Sequence, residues 1–261
     1  MNAEIYKLIH SHASVRSYQN KKIPEDVLTR ILEAALRASS SGNMQSYSII
    51  VTKDKILKKE LLEPHFNQSM VTEAPVFLTF CADFNRMRKW LEISEAPENF
   101  DNFMSFLIGA IDAVLASQNA ALAAEAEGLG ICFLGTTLAS CDRIARILKC
   151  PPNVVPVVGF CLGYAAEKAA LRDRLPIDGI VHQDIYKNYN TSEILNIYKE
   201  REEKGFQRYM QVPKLREMAL ATDSKNLAQI YTKAKYTRKS HLEYSKTILD
   251  FIEAQNFLKS Y

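Results

Sequence analysis

The sequence predicts a folded domain of the α/β or α+β class, in which helices pack on a central sheet. Strand-like and helix-like segments alternate through residue 163, which is the pattern of such a layered domain. The strand-like segments are continuous apolar runs, as expected of strands buried on both faces, and such strands favour a parallel sheet. The chain has 261 residues, 47% of them apolar and 10% aromatic, so it can bury a sizeable core.

The elements are predicted in order along the chain. A short amphipathic helix with Ile5, Leu8 and Ile9 on one side comes first, and the extended segment SHASVRSY (residues 11–18) follows it. Pro24, acidic residues in the next turn and apolar residues at helical spacing predict a helix within 23–39. Runs of β-branched and apolar residues predict the strands. The strands are expected at 47–53, 74–82, 130–136 and 153–163, and further helices at 53–63, 84–94, 103–128 and 142–149.

The helix at 103–128 is long and largely apolar, which raises the question of a membrane span. Asp112, Gln118 and Asn119 interrupt it, and charges inside a membrane are costly. We therefore expect a helix buried in a soluble protein, with no membrane association. Because it is apolar nearly all round, it is also a candidate to face a second subunit.

The last 70 residues differ in character from the rest. From Thr191 onward the chain is rich in Lys, Glu, Tyr and Gln, with a single Pro213 and a single Gly205. This composition predicts a main domain over residues 1–190 and a helical C-terminal extension over 191–261, which packs on the same domain or on a dimer partner.

Composition excludes several classes of function. The 33 basic and 30 acidic residues are interspersed, without the concentrated basic face that nucleic-acid binding requires. The cysteines are odd in number, form no CxxC pair and lie mostly in apolar runs, so we expect reduced core thiols. No secretory signal pattern is visible at the N-terminus, and we expect a cytoplasmic protein.

The common catalytic motifs GxSxG, P-loop, HExxH and GxGxxG do not occur, and the five histidines lack metal-ligand spacing. We therefore predict no metal, and a bound organic cofactor as the carrier of any chemistry. In SHASVRSY, alternate residues of an extended chain share one side, so His12, Ser14 and Arg16 form a candidate anion site, with Ser17 facing away. The alternative is a solvated surface turn.

Three further segments are candidates for ligand binding. Arg172 and Arg174 are two residues apart and could hold one phosphate, or they are simply exposed arginines beside Asp173. The glycines of GLGICFLGT allow a ligand to approach the backbone closely, or they form ordinary turns around a strand. The polar residues 39–45 offer hydrogen-bonding groups, or they form a loop after a helix.

Taken together, these motifs resemble a known family. SHASVRSY followed by IP, RASSSGNMQSYSII, FCADFNR, GLGICFLG, PVVGFCLGY and RDRLP occur in the order and spacing of the FMN-dependent nitroreductase superfamily. The chain is most similar to its larger NADPH-type branch of flavin reductases and oxygen-insensitive nitroreductases. The match runs from about residue 4 to residue 187, with a weaker echo in the last 25 residues.

The resemblance implies an α+β, nitroreductase-like fold with a mixed, mostly antiparallel sheet flanked by helices. This replaces the parallel sheet that the residues alone favour. It also implies a domain-interlocked homodimer with two FMN molecules at the subunit interface, and it places the helix at 103–128 along that interface.

The resemblance further implies the residues that bind FMN. His12, Ser14, Arg16, Arg172 and Arg174 match its phosphate and ribityl site, and the backbone after Cys132 matches a segment that lies along the ring. The implied contacts are His12, Ala13, Ser14, Arg16, Ser40, Gln68, Phe133, Leu134, Gly135, Thr136, Arg172 and Arg174. The chain has Gly135-Thr136 where the family usually has Gly-Gly, and Ala13 where Arg or Asn is common.

The implied activity is an FMN-dependent NAD(P)H oxidoreductase that reduces nitro compounds, free flavins or quinones by ping-pong hydride transfer, without a catalytic side chain. The tail lacks the branch's arginine-rich loop for the NADPH 2′-phosphate, so NADPH and NADH both remain candidate reductants. Arg201, Arg208 and Arg216 are substitutes for that loop, or parts of a solvated helix. Two other functions stay open: an FMN storage, sensing or transfer protein without a nicotinamide site, and an interaction module without flavin.

Overall fold

The computed structural model describes residues 3–259. The helices and strands of the first part of the chain are α1 (Ala3–His10), α2 (Glu25–Leu36), β1 (Tyr47–Thr52), α3 (Lys55–Leu62), α4 (Met70–Glu73), β2 (Val76–Asp83), α5 (Asn85–Ile93) and α6 (Phe103–Ala126). They are followed by β3 (Gly130–Leu134), α7 (Thr136–Ala139), α8 (Cys141–Ile147), β4 (Val154–Gly163), α9 (Thr191–Gln211), α10 (Pro213–Ala221), α11 (Leu227–Ile230) and α12 (Arg238–Ala254). The predicted strands and longer helices are all present, and the single-turn helices α4 and α7 were not predicted.

The four strands form one antiparallel sheet in the order β1-β2-β4-β3. The parallel sheet that the residues alone favour is therefore wrong, and the antiparallel arrangement implied by the resemblance is confirmed. Every residue of β2 is buried because helices cover both faces of the sheet. Leu78 packs in the cluster with α2 and α6, whereas its neighbour Phe77 packs with residues of α3, α4 and α8. Burial on both faces thus needs two helical layers and does not need parallel strands.

Helix α6 packs with α2 on one face of the sheet. Its length and apolar character would suffice for a membrane span, yet Asp112 in its middle is fully buried in protein. At Gly109 a Cβ atom would lie only 2.9 Å from the Ser46 carbonyl oxygen and 3.0 Å from the Ala82 Cβ, so the helix approaches β2 closely. These features are those of a core helix, as predicted.

The chain divides into two compact units, residues 1–170 with 244–261 and residues 171–243. The first unit contains the sheet, α1 to α8 and the later residues of α12. The second unit begins at Leu171 and contains α9, α10 and α11, and the predicted division at 190/191 stays a prediction. Asn190 and Glu193 form a capping box at the start of α9, and the core of this unit contains Tyr209, Leu227 and Ile230.

The five cysteines are free, as predicted. Cys81, Cys132, Cys141 and Cys161 are buried, and Cys150 is half-buried. Burial raises the pKa of the Cys141 thiol to about 12, so this group stays protonated.

Candidate functional site

The segment SHASVRSY is extended and lies along β3, the edge strand of the sheet. The Val15 amide donates a hydrogen bond to the Ile131 carbonyl (2.9 Å), and Tyr18 forms a β-bridge with Ala165. Val15 and Tyr18 are buried, whereas Arg16 is exposed. The buried side chains of Val15 and Tyr18 therefore anchor the segment, and the Arg16 side chain faces solvent.

His12 is paired with a carboxylate that the sequence did not reveal. Its Nδ1 lies 2.6 Å from Oε1 of Glu125, in the last turn of α6. The Glu125 side chain is only 12% exposed, so the pair is partly shielded from water. An Nδ1–H that donates to this carboxylate fixes the plane of the imidazole and leaves Nε2 for another partner.

The backbone at Arg16 already holds an anionic group. The amides of Arg16 and Ser17 both donate to Oε1 of Glu167, at 2.7 Å and 3.2 Å. The Arg16 guanidinium folds back to donate to the Ser14 carbonyl at 3.2 Å. Burial raises the pKa of the Cys132 thiol below this segment, and the positive charge of Arg16 opposes that rise. Two adjacent amides that bind one carboxylate oxygen, with a guanidinium beside them, form an anion-binding arrangement.

The loop after α2 is organised by Asp112. Its carboxylate accepts hydrogen bonds from the Ser40 hydroxyl (2.7 Å), the Ser41 amide (3.0 Å) and the Ser46 amide (3.2 Å). The Ser40 hydroxyl oxygen in turn accepts from the Gln45 amide at 2.7 Å. Within the loop, Gly42 has a φ of 55°, a conformation in which the missing Cβ removes strain. Ser40 is one of the predicted contacts, whereas in the sequence Asp112 shows only as an interruption of an apolar helix, although a buried carboxylate requires partners.

Two other predicted residues meet at a buried histidine. Nδ1 of His65 lies 2.8 Å from the Thr136 hydroxyl, and Gln68 Nε2 donates to the His65 carbonyl at 3.0 Å. Burial lowers the pKa of His65 to about 4, so the ring is neutral near pH 7. Its Nε2 is buried without a hydrogen-bond partner among residues 3–259. Thr136, a departure from the family pattern, is therefore the hydroxyl partner of His65.

The backbone after β3 leaves open space beside Gly135. Leu134 is buried and Phe133 is half-buried, where its ring packs edge-on against Phe160 at 5.0 Å between centroids. Gly135 is exposed, and a Cβ built on it would have no atom within 4 Å. A flat ligand can therefore approach the backbone of this turn.

Arg172 and Arg174 belong to the second unit and are exposed. Arg174 Nη1 donates to the Arg172 and Asp173 carbonyls at 3.2 Å and 3.1 Å. Asp173 between them is paired with Arg201 of α9 at 2.9 Å, and Arg201 also donates to the Tyr231 hydroxyl at 2.7 Å. Burial disfavours the charged Asp173 carboxylate, but the Arg201 guanidinium outweighs it and lowers the pKa of Asp173. Arg201, one of the candidates for nucleotide binding, is thus committed to Asp173.

The structure therefore brings some of the predicted residues together. Gln68 and Thr136 meet at His65, and Ser14 and Arg16 share one edge segment. Helix α6 supports two of the predicted loops, since Asp112 holds the loop of Ser40 and Glu125 holds His12. Ala13 is half-buried in the same segment as His12. Arg172 and Arg174 lie in the second compact unit.

Comparison with known proteins gives a consistent set of similarities. The nitroreductase family model matches residues 9–164. The FMN reductase [NAD(P)H] of Bacillus subtilis (strain 168) is 36% identical over 187 residues, 71% of this chain and 75% of that protein. The NADPH-dependent oxidoreductase of Staphylococcus aureus (strain USA300) is 37% identical over 190 residues, again 71% and 75% of the two chains.

Solved structures extend the similarity over the whole chain. NfrA2 of B. megaterium superposes with a TM-score of 0.85 and 31% identity, covering 100% of both chains. The NADPH:FMN oxidoreductase from Vibrio harveyi, complexed with NAD+, gives a TM-score of 0.80 with 26% identity, and the match covers 98% of this chain and 99% of that one. The helical second unit is thus included in these superpositions.

Proposed function

Because the chain belongs to the nitroreductase family, we propose that it is an FMN-dependent NAD(P)H oxidoreductase that reduces nitro compounds, free flavins or quinones. The observation that carries this proposal is the family match over residues 9–164, which contains the anion-binding segment of Ser14 and Arg16. The relatives reported above are reductases by name, so an FMN storage or transfer protein is not favoured.

The donor groups of the first unit fit the phosphate of FMN. The Arg16 guanidinium, the Ser14 hydroxyl and the His12 ring lie on one segment, and two adjacent backbone amides there already bind a carboxylate oxygen. Guanidinium and amide donors form the strongest hydrogen bonds with phosphate oxygens. We propose that Arg172 and Arg174 of the second unit also bind the phosphate end of the cofactor.

The remaining predicted residues fit the ring of the cofactor. The open backbone at Gly135 accepts a flat aromatic system, and the loop of Ser40 and the Gln68 side chain supply hydrogen-bonding groups. FMN, when bound, supplies the two-electron chemistry between a nicotinamide nucleotide and an acceptor. The chain's own residues bind and orient the reactants and need supply no nucleophile. We propose that reductant and acceptor occupy the same place in turn, which gives ping-pong kinetics with either NADPH or NADH.

We further propose a homodimer formed through α6 and α1. One side of α6 is exposed and apolar, and monomeric proteins rarely expose a large continuous apolar surface. The exposed apolar residues are Ile5, Tyr6 and Ile9 of α1 and Met104, Leu107, Ile111, Val114 and Leu115 of α6. The proposed partners are otherwise small electron acceptors, and the proposed location is the cytoplasm.

An absorption spectrum with an anaerobic titration tests the proposal. The purified protein should absorb at about 450 nm, as oxidised flavin does, and should bleach when NADPH or NADH is added without oxygen. A protein that stays colourless after incubation with FMN would contradict the cofactor. A yellow protein that neither nucleotide bleaches would instead favour the storage or transfer function.

A further inference from the structure

A cavity lies in the first unit, on segments that contribute none of the predicted FMN contacts. It has a volume of about 710 Å³ and is formed by residues 18–25, 53–59 and 72–76. These segments are the turn before α2, the start of α3 and the connection from α4 to β2. Cavities of this size are typical of small-molecule binding sites.

The cavity is lined by an unusual number of cations. Two separate segments of the chain contribute six lysines to the lining of the same space, and two glutamates also line it. The charged lining residues are Lys21, Lys22, Lys53, Lys55, Lys58, Lys59, Glu25 and Glu73. Like charges around one space repel one another, and an anion bound there would offset this repulsion.

Lys58 is the clearest sign of an unbalanced charge. It is only 4% exposed, and its Nζ donates to the Ala74 carbonyl at 2.5 Å and the Thr72 carbonyl at 3.3 Å. No carboxylate of residues 3–259 lies within ion-pair distance of this ammonium. Burial lowers the pKa of Lys58, which shows the cost of the unpaired charge. An anion in the cavity would offset this cost.

The other lysines leave free ammonium groups for such an anion. Lys53 is paired with Glu25 at 2.6 Å, and Lys21 lies 3.8 Å from the centre of the Tyr164 ring. In the described part of the chain, Lys22, Lys55 and Lys59 form no ion pair. Apolar groups complete the wall of the cavity, namely Tyr18, Ile23, Pro75 and Val76.

We propose that this cavity binds a polyphosphorylated small molecule of nucleotide size. Several ammonium groups around one space match a ligand with several phosphates. Each ammonium is a compact point charge on a flexible side chain, so it can reach one phosphate of a flexible chain. A mononucleotide anion or an isolated carboxylate would leave most of these lysines unused. The apolar wall is suited to the base of a nucleotide, whereas inorganic tripolyphosphate offers the same phosphate chain without a base.

Isothermal titration calorimetry on the FMN-loaded protein tests the proposal. ATP and sodium tripolyphosphate are titrated separately, without magnesium and at low salt, into the wild type and the triple variant Lys22→Ala/Lys55→Ala/Lys59→Ala. The wild type should bind, and the triple variant should bind at least about tenfold more weakly, because three charge-assisted contacts are lost. The matched control is Lys89→Ala/Lys199→Ala/Lys214→Ala, exposed lysines that do not line the cavity, which should bind as the wild type does.

The outcomes separate the ligand sources and the two proposals. If ATP binds more tightly than tripolyphosphate, the nucleoside contacts the apolar wall. If the two bind equally, the phosphate chain alone is recognised. Absence of binding to the wild type, or equal binding by the two triple variants, would overturn the proposal. The absorbance of bound FMN is read in the same samples, so failure of the flavin proposal is seen independently.

Discussion

The edge segment at residues 11–18 and the arginine loop at residues 172–174 are both rich in donors for an anion, but their supports differ. The first is tied to the core, by the Val15 hydrogen bond to β3 and by the pair of His12 with Glu125 on α6. The second is exposed at Arg172 and Arg174, and Asp173 between them forms a partly exposed ion pair with Arg201. Donors held by a core element lose less conformational entropy on binding, so the edge segment should contribute more affinity for a ligand than the loop.

The largest effect is expected when the support in α6 is removed. Asp112→Ala deletes the acceptor of the Ser40 hydroxyl and of two amides, one of them buried, and should lower the free energy of unfolding by about 3 kcal/mol or more. Urea denaturation measures this change. Glu33→Ala, the loss of an exposed carboxylate on α2, should change the stability by less than about 0.5 kcal/mol. Equal stabilities of the two variants would contradict the role of Asp112.

A second test concerns the buried histidine beside Thr136. The pKa of His65 is about 4 in the folded state and 6.5 in the unfolded state, so the unfolded chain binds the proton first as the pH falls. Stability should therefore decrease from about pH 6.5 to pH 4, by up to about 3 kcal/mol, and this contribution should not change further below pH 4. Unfolding at several pH values measures the slope. The slope should be reduced in His65→Gln and retained in His10→Gln, an exposed histidine.

The third test compares the two arginine sites directly. Arg16→Ala removes a charge-assisted contact and should weaken FMN binding by roughly 10- to 100-fold. Arg174→Ala should weaken FMN binding less, because its side chain is exposed and is not held by an element of the core. Titration of apoprotein, followed by the fluorescence of free FMN, gives both affinities. Arg146→Ala on α8 serves as the control. A larger loss of FMN affinity in Arg174→Ala than in Arg16→Ala would contradict the stronger contribution expected of the edge segment.

The smallest effect is expected from the support of the loop itself. Asp173→Asn removes the ion pair with Arg201, which is partly exposed, and should lower the free energy of unfolding by no more than about 1 kcal/mol. Because the pKa of Asp173 is lowered in the folded protein, the contribution is present at neutral pH and is lost in acid. Thermal unfolding at pH 7 and pH 3 measures it. Asp178→Asn, an exposed carboxylate of the same unit, should show no such loss.

Much of the fold could be predicted from the sequence because burial leaves a local pattern. The strands and the long helices were found from apolar periodicity and from end signals such as Pro24. Strand direction was not contained in that pattern. The apolar run of β2 is equally compatible with parallel and antiparallel neighbours, and only the family resemblance favoured the antiparallel sheet that is observed.

The candidate site was predicted less completely, because several of its groups are bound by residues that are distant in the sequence. Alternation in SHASVRSY is local and visible, whereas Glu125 and Glu167 lie more than 100 residues away from the groups they bind. Pairings at such separations depend on the tertiary structure. The lysine-lined cavity was not predicted for the same reason, since its lysines lie in two separate segments of the chain and only the fold brings them together. The FMN contacts carried over from the family stay predictions.

Helix α6 links two properties that are usually measured apart. One side carries Asp112 and Glu125 toward the predicted FMN loops, and another side carries the apolar residues of the proposed dimer interface. Wherever association of two copies changes the affinity of these loops for FMN, thermodynamic reciprocity requires FMN to change the dimer dissociation constant by the same factor. Protein concentration then becomes a variable that sets cofactor occupancy, and dilution alone would release the flavin.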